Sequence, residues 1–248
     1  MSVIWQHSIN GRNYEVRTAG NSVRLYTNRV FHSQWNSSRP LTNSVWDCLT
    51  LPGFFLPPGK PKRVLLMGVG GGAAIRQLQM FFNPDSIVGV ELDPVHIEVA
   101  THWFGVEGSN VELIEGDAIA WLKSYDGPPF DIVIDDLFGD DDGEAHRALP
   151  VDDEWAQHLL KATHKDGLIV VNYEDRTELH QSGLASTARS KIRCRYIFEQ
   201  ETYGNAVGVY VRSQRNRRHW QDRVEQSTVF DTNQRRVALK TWVSLQEK

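Results

Sequence analysis

Short apolar runs alternate with amphipathic segments along the central part of the chain, beginning after the stretch PPGKP at residues 57–61. That proline-rich stretch breaks any regular element and marks a boundary. Near-continuous apolar runs such as RVLLMG and DIVID are typical of strands buried on both faces of a mainly parallel sheet. The alternation of such strands with helices predicts the α/β class. The predicted strands lie near residues 63–68, 86–91, 110–114, 130–135, 167–173, 193–200 and 206–212.

The two ends of the chain have different patterns. Residues 1–56 contain short alternating stretches and the hairpin signal Asn10-Gly11, which predict a small N-terminal β-rich region. Residues 57–212 form the predicted α/β domain. Residues 213–248 are charged and are predicted to be a C-terminal helical extension. The apolar stripe of this extension is predicted to comprise Val237, Leu239, Trp242, Val243 and Leu245.

Composition narrows the class of protein further. The chain has 248 residues, of which 40% are hydrophobic and 23% charged, and these values exclude disordered, collagen-like and disulfide-scaffold proteins. No apolar run approaches the roughly 20 residues that a membrane helix needs, and the first residues show no secretory signal. The two cysteines, Cys48 and Cys194, lack metal-ligand spacing and are expected to be free thiols in a cytoplasmic protein. No metal site is predicted.

The formal net charge of −4 is unevenly distributed. Residues 91–157 carry 18 acidic and only two basic side chains, whereas the segments on either side are net basic. The acidic residues either decorate exposed helices and loops or create a negative field that favours a cationic ligand. The most acidic stretch, residues 139–144, is interpreted as a solvated gating loop or as an attractor of a cationic amine. No basic stripe with interleaved aromatics appears, so nucleic acid is not an expected partner.

A glycine-rich motif, MGVGGGAA at residues 67–74, joins the first predicted strand of the α/β domain to a helix. The glycines Gly68, Gly70, Gly71 and Gly72 let the chain turn sharply and let a ligand approach the backbone at the N-terminus of the helix. The same spacing also fits the dinucleotide fingerprint with alanine as the third small residue. The motif therefore predicts a nucleotide-type cofactor without choosing it.

Carboxylates follow the next two strands. Glu91 ends the second strand in the motif VELDP and is a candidate for binding a ribose through both hydroxyl groups. Leu92, the next residue, is also a candidate cofactor-binding residue. Asp117 follows the third strand in EGDA and can accept a hydrogen bond from an adenine amino group, while the backbone N–H of Ala118 donates to a ring nitrogen. Asp117 can also serve as the N-cap of the following helix, and both roles can hold together.

Asp135 and Asp136 end the fourth strand in the motif FDIVIDD. Ligands of open α/β sheets bind in the crevice at the carboxyl ends of the strands. We therefore assign Asp135 to cofactor binding and Asp136 to catalysis at the reacting end of the ligand. Four strand-end motifs in this order are much more specific than any one of them.

The order of motifs from Gly68 to Asp136 resembles the class I S-adenosylmethionine-dependent methyltransferases, and among them the spermidine synthase-like group. The stretch VELDPVHIEVATHWF and the N-terminal β region carry the same resemblance, which covers roughly residues 15–212. The resemblance implies a Rossmann-like seven-stranded sheet with helices on both faces and an antiparallel last strand. It also implies an adenosyl sulfonium cofactor, a substrate that enters beside the fourth strand, and a homodimer.

The chain departs from the aminopropyltransferases of this group at two positions. Their glycine-rich loop reads GGGDGG, and the Asp, which would repel the carboxylate of S-adenosylmethionine, is matched here by Gly71. Their fourth strand is followed by DSSDP, whose first Asp is matched by Asp136 and whose second is matched by Gly139, with Asp140 displaced by one residue. These departures favour methyl transfer from S-adenosylmethionine over aminopropyl transfer from its decarboxylated form.

The leading hypothesis is a methyltransferase that acts on a small or exposed nucleophile, such as a cationic amine. Asp136 would orient the amine or take its proton, and the remaining catalysis would come from positioning. A polyamine aminopropyltransferase that uses decarboxylated S-adenosylmethionine is the first alternative. An NAD-dependent oxidoreductase fits the glycine spacing alone. The last alternative is a non-catalytic domain that binds a nucleoside or a partner protein.

Overall fold

The computed structural model describes residues 1–139, 145–186 and 190–245, and for residues 242–245 it describes the backbone alone. The predicted acidic gating loop, apart from Gly139, lies outside the described residues. The strands, in chain order, are β1 (Ser2–Ile9), β2 (Arg12–Ala19), β3 (Ser22–Thr27), β4 (Val30–Trp35), β5 (Arg63–Met67), β6 (Ser86–Glu91), β7 (Val111–Glu115), β8 (Phe130–Asp135), β9 (Phe138–Gly139), β10 (His146–Arg147), β11 (Thr163–Tyr173), β12 (Cys194–Glu199), β13 (Ala206–Val211) and β14 (Trp242–Leu245).

The helices cover the sheet and its ends. A short 3-10 helix at Leu51–Phe55 follows the first of them. The α-helices are α1 (Val45–Thr50), α2 (Ala73–Phe82), α3 (Pro94–His102), α4 (Ala118–Ser124), α5 (Asp153–Ala162), α6 (Arg176–Gln181), α7 (Gly183–Ser186), α8 (Arg217–Gln226) and α9 (Thr232–Lys240). Several begin at an Asp whose side chain accepts a backbone N–H, as Asp93 does for α3 and Asp117 for α4, which satisfies one of the free donors of a helix start.

The N-terminal region is a four-stranded antiparallel sheet in the order β1-β2-β3-β4, which confirms the predicted β region. Asn10 and Gly11 both have positive φ in the turn between β1 and β2. That backbone conformation is the reason an Asn-Gly pair is a hairpin signal. The inner face of this sheet buries Tyr14, Val16 and Leu25 against the main domain.

The main sheet has the order β14-β12-β13-β11-β8-β5-β6-β7. Strands β5, β6, β7, β8 and β11 are parallel, and β13 runs antiparallel to β11. Alternate residues of β5 enter two different core clusters, with Val64 and Leu66 in one and Leu65 and Met67 in the other. Burial on both faces explains the continuous apolar runs and confirms the predicted Rossmann-like class.

The C-terminal segment differs from its prediction at its end. Helices α8 and α9 lie in the predicted helical extension, but Trp242–Leu245 forms β14, which pairs antiparallel with β12. The prediction of a helical stripe through these residues was therefore wrong, and the sheet has an eighth strand. The edge of β12 that faces away from β13 offers backbone donors and acceptors to Trp242–Leu245. The aromatic and β-branched residues of Trp242–Leu245 also suit a strand. The domain boundaries at residues 56 and 212 remain predictions.

Both cysteines are buried free thiols. Across the described ranges, no helix is long and apolar enough to cross a membrane. In the same part of the chain, no group of three or more His, Cys, Asp and Glu side chains is arranged to hold a metal ion.

Candidate functional site

The glycine-rich loop lies between β5 and α2, at the point where the strand order reverses. From β5 the sheet continues to β6 on one side and to β8 on the other, and such reversals are where open α/β sheets bind ligands. Gly68, Gly70 and Gly72 have positive φ, a conformation that favours glycine. A Cβ at Gly68 would also collide with the carbonyl oxygen of Asp136. Val69 is buried, so the loop presents mainly backbone groups at the centre of the crevice.

Glu91 holds this loop from the end of β6. One carboxylate oxygen accepts hydrogen bonds of 2.8 Å from the backbone N–H groups of Val69 and Gly70, and the other accepts one of 3.0 Å from Asp93. Burial alone would raise the pKa of Glu91, but the His96 side chain and the backbone donors lower it to about 2. The carboxylate is therefore ionised at any ordinary pH and ready to accept hydrogen bonds from hydroxyl groups. Its role in binding ribose remains a prediction.

The N-terminal sheet forms one wall of the site. The Tyr14 hydroxyl donates to Asp93 over 2.8 Å, and the hydroxyl of Thr27 lies 2.8 Å from Nε2 of His96. His96 is buried, and its Nδ1 lies 3.7 Å from the Glu91 carboxylate. These contacts connect the small sheet to the residue that holds the glycine-rich loop. The signals in the sequence were the family-like β region and the stretch at residues 32–34, near which the resemblance implies a glutamine that faces the cofactor.

The predicted adenine-binding residues lie next to each other at the edge of the sheet. Glu91 and Glu115 are paired in the register of β6 and β7. Leu92, which follows Glu91, therefore lies beside the segment 116–118, which follows Glu115. Leu92 is 72% exposed, which gives this edge an apolar surface suited to a base. Asp117 is exposed and caps α4 by accepting from Ile119 over 2.8 Å, as predicted for the N-cap alternative. Ala118 is buried at the first helical position, where an N–H group has no partner within the helix.

Asp135 has no accessible surface. Each of its oxygens lies 3.2 Å from Nη2 of Arg147, and one also accepts a 2.7 Å hydrogen bond from the Trp155 indole. These are the contacts of a structural ion pair. The structure therefore does not bring Asp135 to the exposed surface of the crevice, and its predicted contact with cofactor gains no support from the geometry.

Arg147 is a residue of the site that the sequence motifs did not indicate. It is almost fully buried and pairs with Glu178 as well as with Asp135. Burial would lower the pKa of Arg147, but the two carboxylates raise it above its ordinary value. One feature of the sequence could have pointed to Arg147. It is one of only two basic residues in the acidic segment 91–157, and the other is Lys123.

Asp136 is half-buried and differs sharply from its neighbour Asp135. Its Oδ1 accepts a 2.8 Å hydrogen bond from the amide of Asn172 at the end of β11. Burial raises the pKa of Asp136 to about 6; Asn172 opposes this shift and the negative charge of Asp135 adds to it. A carboxylate with such a pKa can hold a cation or accept a proton near neutral pH. The geometry thus brings together the glycine-rich loop, Glu91 and Asp136.

These features together define a transferase fold of the S-adenosylmethionine-dependent methyltransferase superfamily. They are a doubly wound sheet, a glycine-rich first loop, a Glu at the end of the second strand and an accessible carboxylate after the fourth strand. The family model described as "Spermine/spermidine synthase domain" matches residues 48–214, and the chain belongs to this family. The resemblance inferred from the motifs is confirmed. The family favours a transferase over the NAD-dependent oxidoreductase alternative.

Named relatives include both kinds of transferase. Polyamine aminopropyltransferase 2 of Caldanaerobacter subterraneus subsp. tengcongensis is 32% identical over 109 residues, which are 43% of this chain and 36% of the relative. The eEF1A lysine and N-terminal methyltransferase of Mus musculus is 30% identical over 119 residues, 45% of this chain and 17% of the relative. The match thus spans about a third or less of the length of these two curated proteins.

A solved structure supports the fold over the whole chain. The crystal structure of a probable spermidine synthase from Corynebacterium glutamicum ATCC 13032 superposes with a TM-score of 0.72, covering 100% of this chain and 98% of that one. The identity is 15%, so the similarity establishes the architecture and no more.

Proposed function

We propose that the protein transfers a methyl group from S-adenosylmethionine to an amine. The observation that carries this proposal is a glycine-rich loop in which residues 68–72 present no carboxylate, beside the accessible carboxylate of Asp136. Nothing on the loop repels the amino-acid carboxylate of S-adenosylmethionine, and Asp136 offers an anion to a cationic acceptor.

The residues of the crevice fit an adenosyl sulfonium compound. The loop from Gly68 to Gly72 would hold its amino-acid part, and Glu91 its ribose. Leu92, Asp117 and the N–H of Ala118 would hold its adenine. Leu92 fits this role because an exposed leucine beside an ionised carboxylate matches a ligand with an apolar base attached to a hydroxyl-bearing sugar.

The chain's own groups act mainly by positioning. The bound sulfonium compound supplies an electrophilic methyl group. Asp136 orients the acceptor amine and takes a proton from it, and the hydrogen bond from Asn172 fixes the carboxylate for this task. Arg147 neutralises Asp135 beside it, so that only one of the two adjacent carboxylates is directed to the acceptor.

Aminopropyl transfer from decarboxylated S-adenosylmethionine to a polyamine is the second candidate. The named relatives favour it over methyl transfer, because most of those found are aminopropyltransferases or spermidine synthases. Because those relatives overlap this chain only in part, we base the choice between the two reactions on the site residues. Gly71 and Gly139 occupy the positions at which the aminopropyltransferases have carboxylates.

Calorimetric titration with S-adenosylmethionine, its decarboxylated form and NAD separates the candidates. We expect the tightest binding for S-adenosylmethionine, and transfer of its labelled methyl group to members of a panel of amines. Tighter binding of the decarboxylated form would contradict methyl transfer and support aminopropyl transfer. Binding of none of the three supports the non-catalytic alternative.

Replacing Glu91 by Gln is expected to weaken binding of S-adenosylmethionine by about tenfold or more, because hydrogen bonds to a charged acceptor contribute more than those to a neutral one. Glu115→Gln is the matched control, since Glu115 is exposed and paired with Glu91 in the register of β6 and β7. Equal affinities of the two variants in the same titration would contradict the assignment of ribose to Glu91.

Asp136→Asn is expected to lower kcat by about 100-fold or more and to abolish an acidic limb of the pH–rate profile near pH 6. Below its pKa of about 6 the carboxyl is protonated and neither attracts an amine nor takes its proton, so the rate falls as pH falls. The same raised pKa makes ionisation unfavourable in the folded state, so the variant should unfold at higher urea concentration than wild type at pH 7.5 but not at pH 4. A limb near pH 6 that persists in the variant would exclude Asp136 as its source.

A further inference from the structure

Gly71 is a glycine for a different reason from its neighbours in the loop. Gly68, Gly70 and Gly72 have positive φ, whereas Gly71 does not, so an L-residue could adopt its backbone conformation. A Cβ at this position would instead come within 2.7 Å of the Phe104 ring and 2.8 Å of the Ser33 Cβ. The constraint at residue 71 is therefore the space occupied by two side chains.

These two side chains are held in place from two different parts of the fold. Ser33 lies on β4 of the N-terminal sheet, has no accessible surface, and accepts a 2.8 Å hydrogen bond from the backbone N–H of Gly71. Phe104 follows α3 and is 2% exposed, and its backbone N–H donates to the carbonyl of Val99 over 3.2 Å. Neither can swing into solvent to admit a new side chain at Gly71 without opening the core.

We propose that Ser33 and Phe104 determine which donor the protein accepts. By filling the space beside Gly71 they exclude every side chain from this point of the loop, above all a carboxylate. A carboxylate there would repel the amino-acid carboxylate of S-adenosylmethionine and attract the ammonium group of an aminopropyl donor. The inference rests on the proposed function and adds to it the residues that set donor specificity.

The steric half of the inference is tested by Gly71→Ala in the wild-type chain and in a chain carrying Ser33→Gly and Phe104→Leu. Leucine lacks the outer ring atoms that a Cβ at residue 71 would meet. We expect Gly71→Ala to weaken binding of S-adenosylmethionine by about tenfold or more in the wild-type chain, and by less than threefold in the S33G/F104L chain. Gly204→Ala is the control, because a Cβ at Gly204 meets nothing within 4 Å.

The electrostatic half compares Gly71→Asp with Gly71→Asn in the S33G/F104L chain, because the two side chains have the same shape and different charge. The Kd ratio of S-adenosylmethionine to its decarboxylated form should rise by about tenfold or more for G71D relative to G71N. In the otherwise wild-type chain, G71D should bind neither compound. Thermal unfolding of each variant shows whether it folds.

The outcomes separate this inference from the proposed function. If wild-type protein binds no S-adenosylmethionine, the proposed function fails. The inference is overturned if wild type binds S-adenosylmethionine and the G71D single variant binds the decarboxylated form as tightly as the G71D/S33G/F104L variant does. In that case Ser33 and Phe104 exclude no side chain. If the S33G/F104L chain does not fold, Gly71→Ala in the wild-type chain still decides, since unchanged affinity there would also overturn it.

Discussion

Replacement of Gly68 by alanine is expected to lower the free energy of unfolding by about 3 kcal/mol and to abolish binding of adenosyl ligands. Two costs add in this variant: an L-residue in the left-handed region costs about 1–2 kcal/mol, and forcing atoms into a packed space costs about 1–3 kcal/mol. The Cβ would collide with the carbonyl of Asp136, where β8 ends. The chain can relieve this only by moving the carboxylate that we assign to catalysis.

The backbone around Gly68 has little freedom to adjust. Its N–H donates to Val90 over 2.9 Å, and the N–H of Asp136 donates to Met67 over 2.9 Å. Urea unfolding and calorimetric titration measure the two expected losses. Gly116→Ala is the control, because Gly116 also follows a parallel strand at this edge but has open space around it. A Gly68→Ala variant within 1 kcal/mol of wild type and with unchanged affinity would disprove the close approach of β8.

Arg147→Met is expected to cost about 3–5 kcal/mol of folding free energy at pH 7.5, because it leaves the Asp135 carboxylate buried without its cation. Urea unfolding at pH 7.5 measures this loss. Activity should fall as well, since Asp135 and Asp136 are adjacent.

Two further variants show whether the loss of stability in Arg147→Met comes from the unpaired Asp135 carboxylate. The double variant Asp135→Asn with Arg147→Met also removes the fully buried carboxylate, so that only the half-buried Glu178 loses its cation. It should therefore be more stable than Arg147→Met alone. Arg176→Met removes an exposed partner of Glu199 and should change stability by no more than about 1 kcal/mol. A double variant less stable than Arg147→Met would show that the loss comes from packing.

The sheet and the order of its motifs were predictable because their causes are local. Ser86–Glu91 and Phe130–Asp135 have the predicted bounds, since a continuous apolar run of strand length has few other uses. The carboxylates that follow such strands must lie at one edge of a parallel sheet. The end of the chain was less predictable, because whether Trp242–Leu245 forms a helix or a strand depends on the free edge of β12.

The roles of two adjacent carboxylates could not be distinguished from the sequence. Asp135 and Asp136 are identical residues in one motif, and their environments come from distant parts of the chain. Arg147 and Trp155 hold the first, and Asn172 holds the second. Since pKa values depend on burial and on neighbouring charges, the different properties of the pair appear only when the strands and the β9–β10 pair are assembled.

The N-terminal sheet contacts the α/β domain through Tyr14, Thr27 and Ser33, each hydrogen-bonded to a residue near the glycine-rich loop. A chimaera that joined residues 57–212 to an unrelated N-terminal sheet would leave Asp93, His96 and the Gly71 N–H without these partners. The small sheet therefore supports the loop of the other domain and cannot be exchanged without loss of these contacts. By the same inference, a change of donor requires coordinated substitutions at Ser33 of β4, at Phe104 and at Gly71, and Ser33 lies across the predicted domain boundary from the other two.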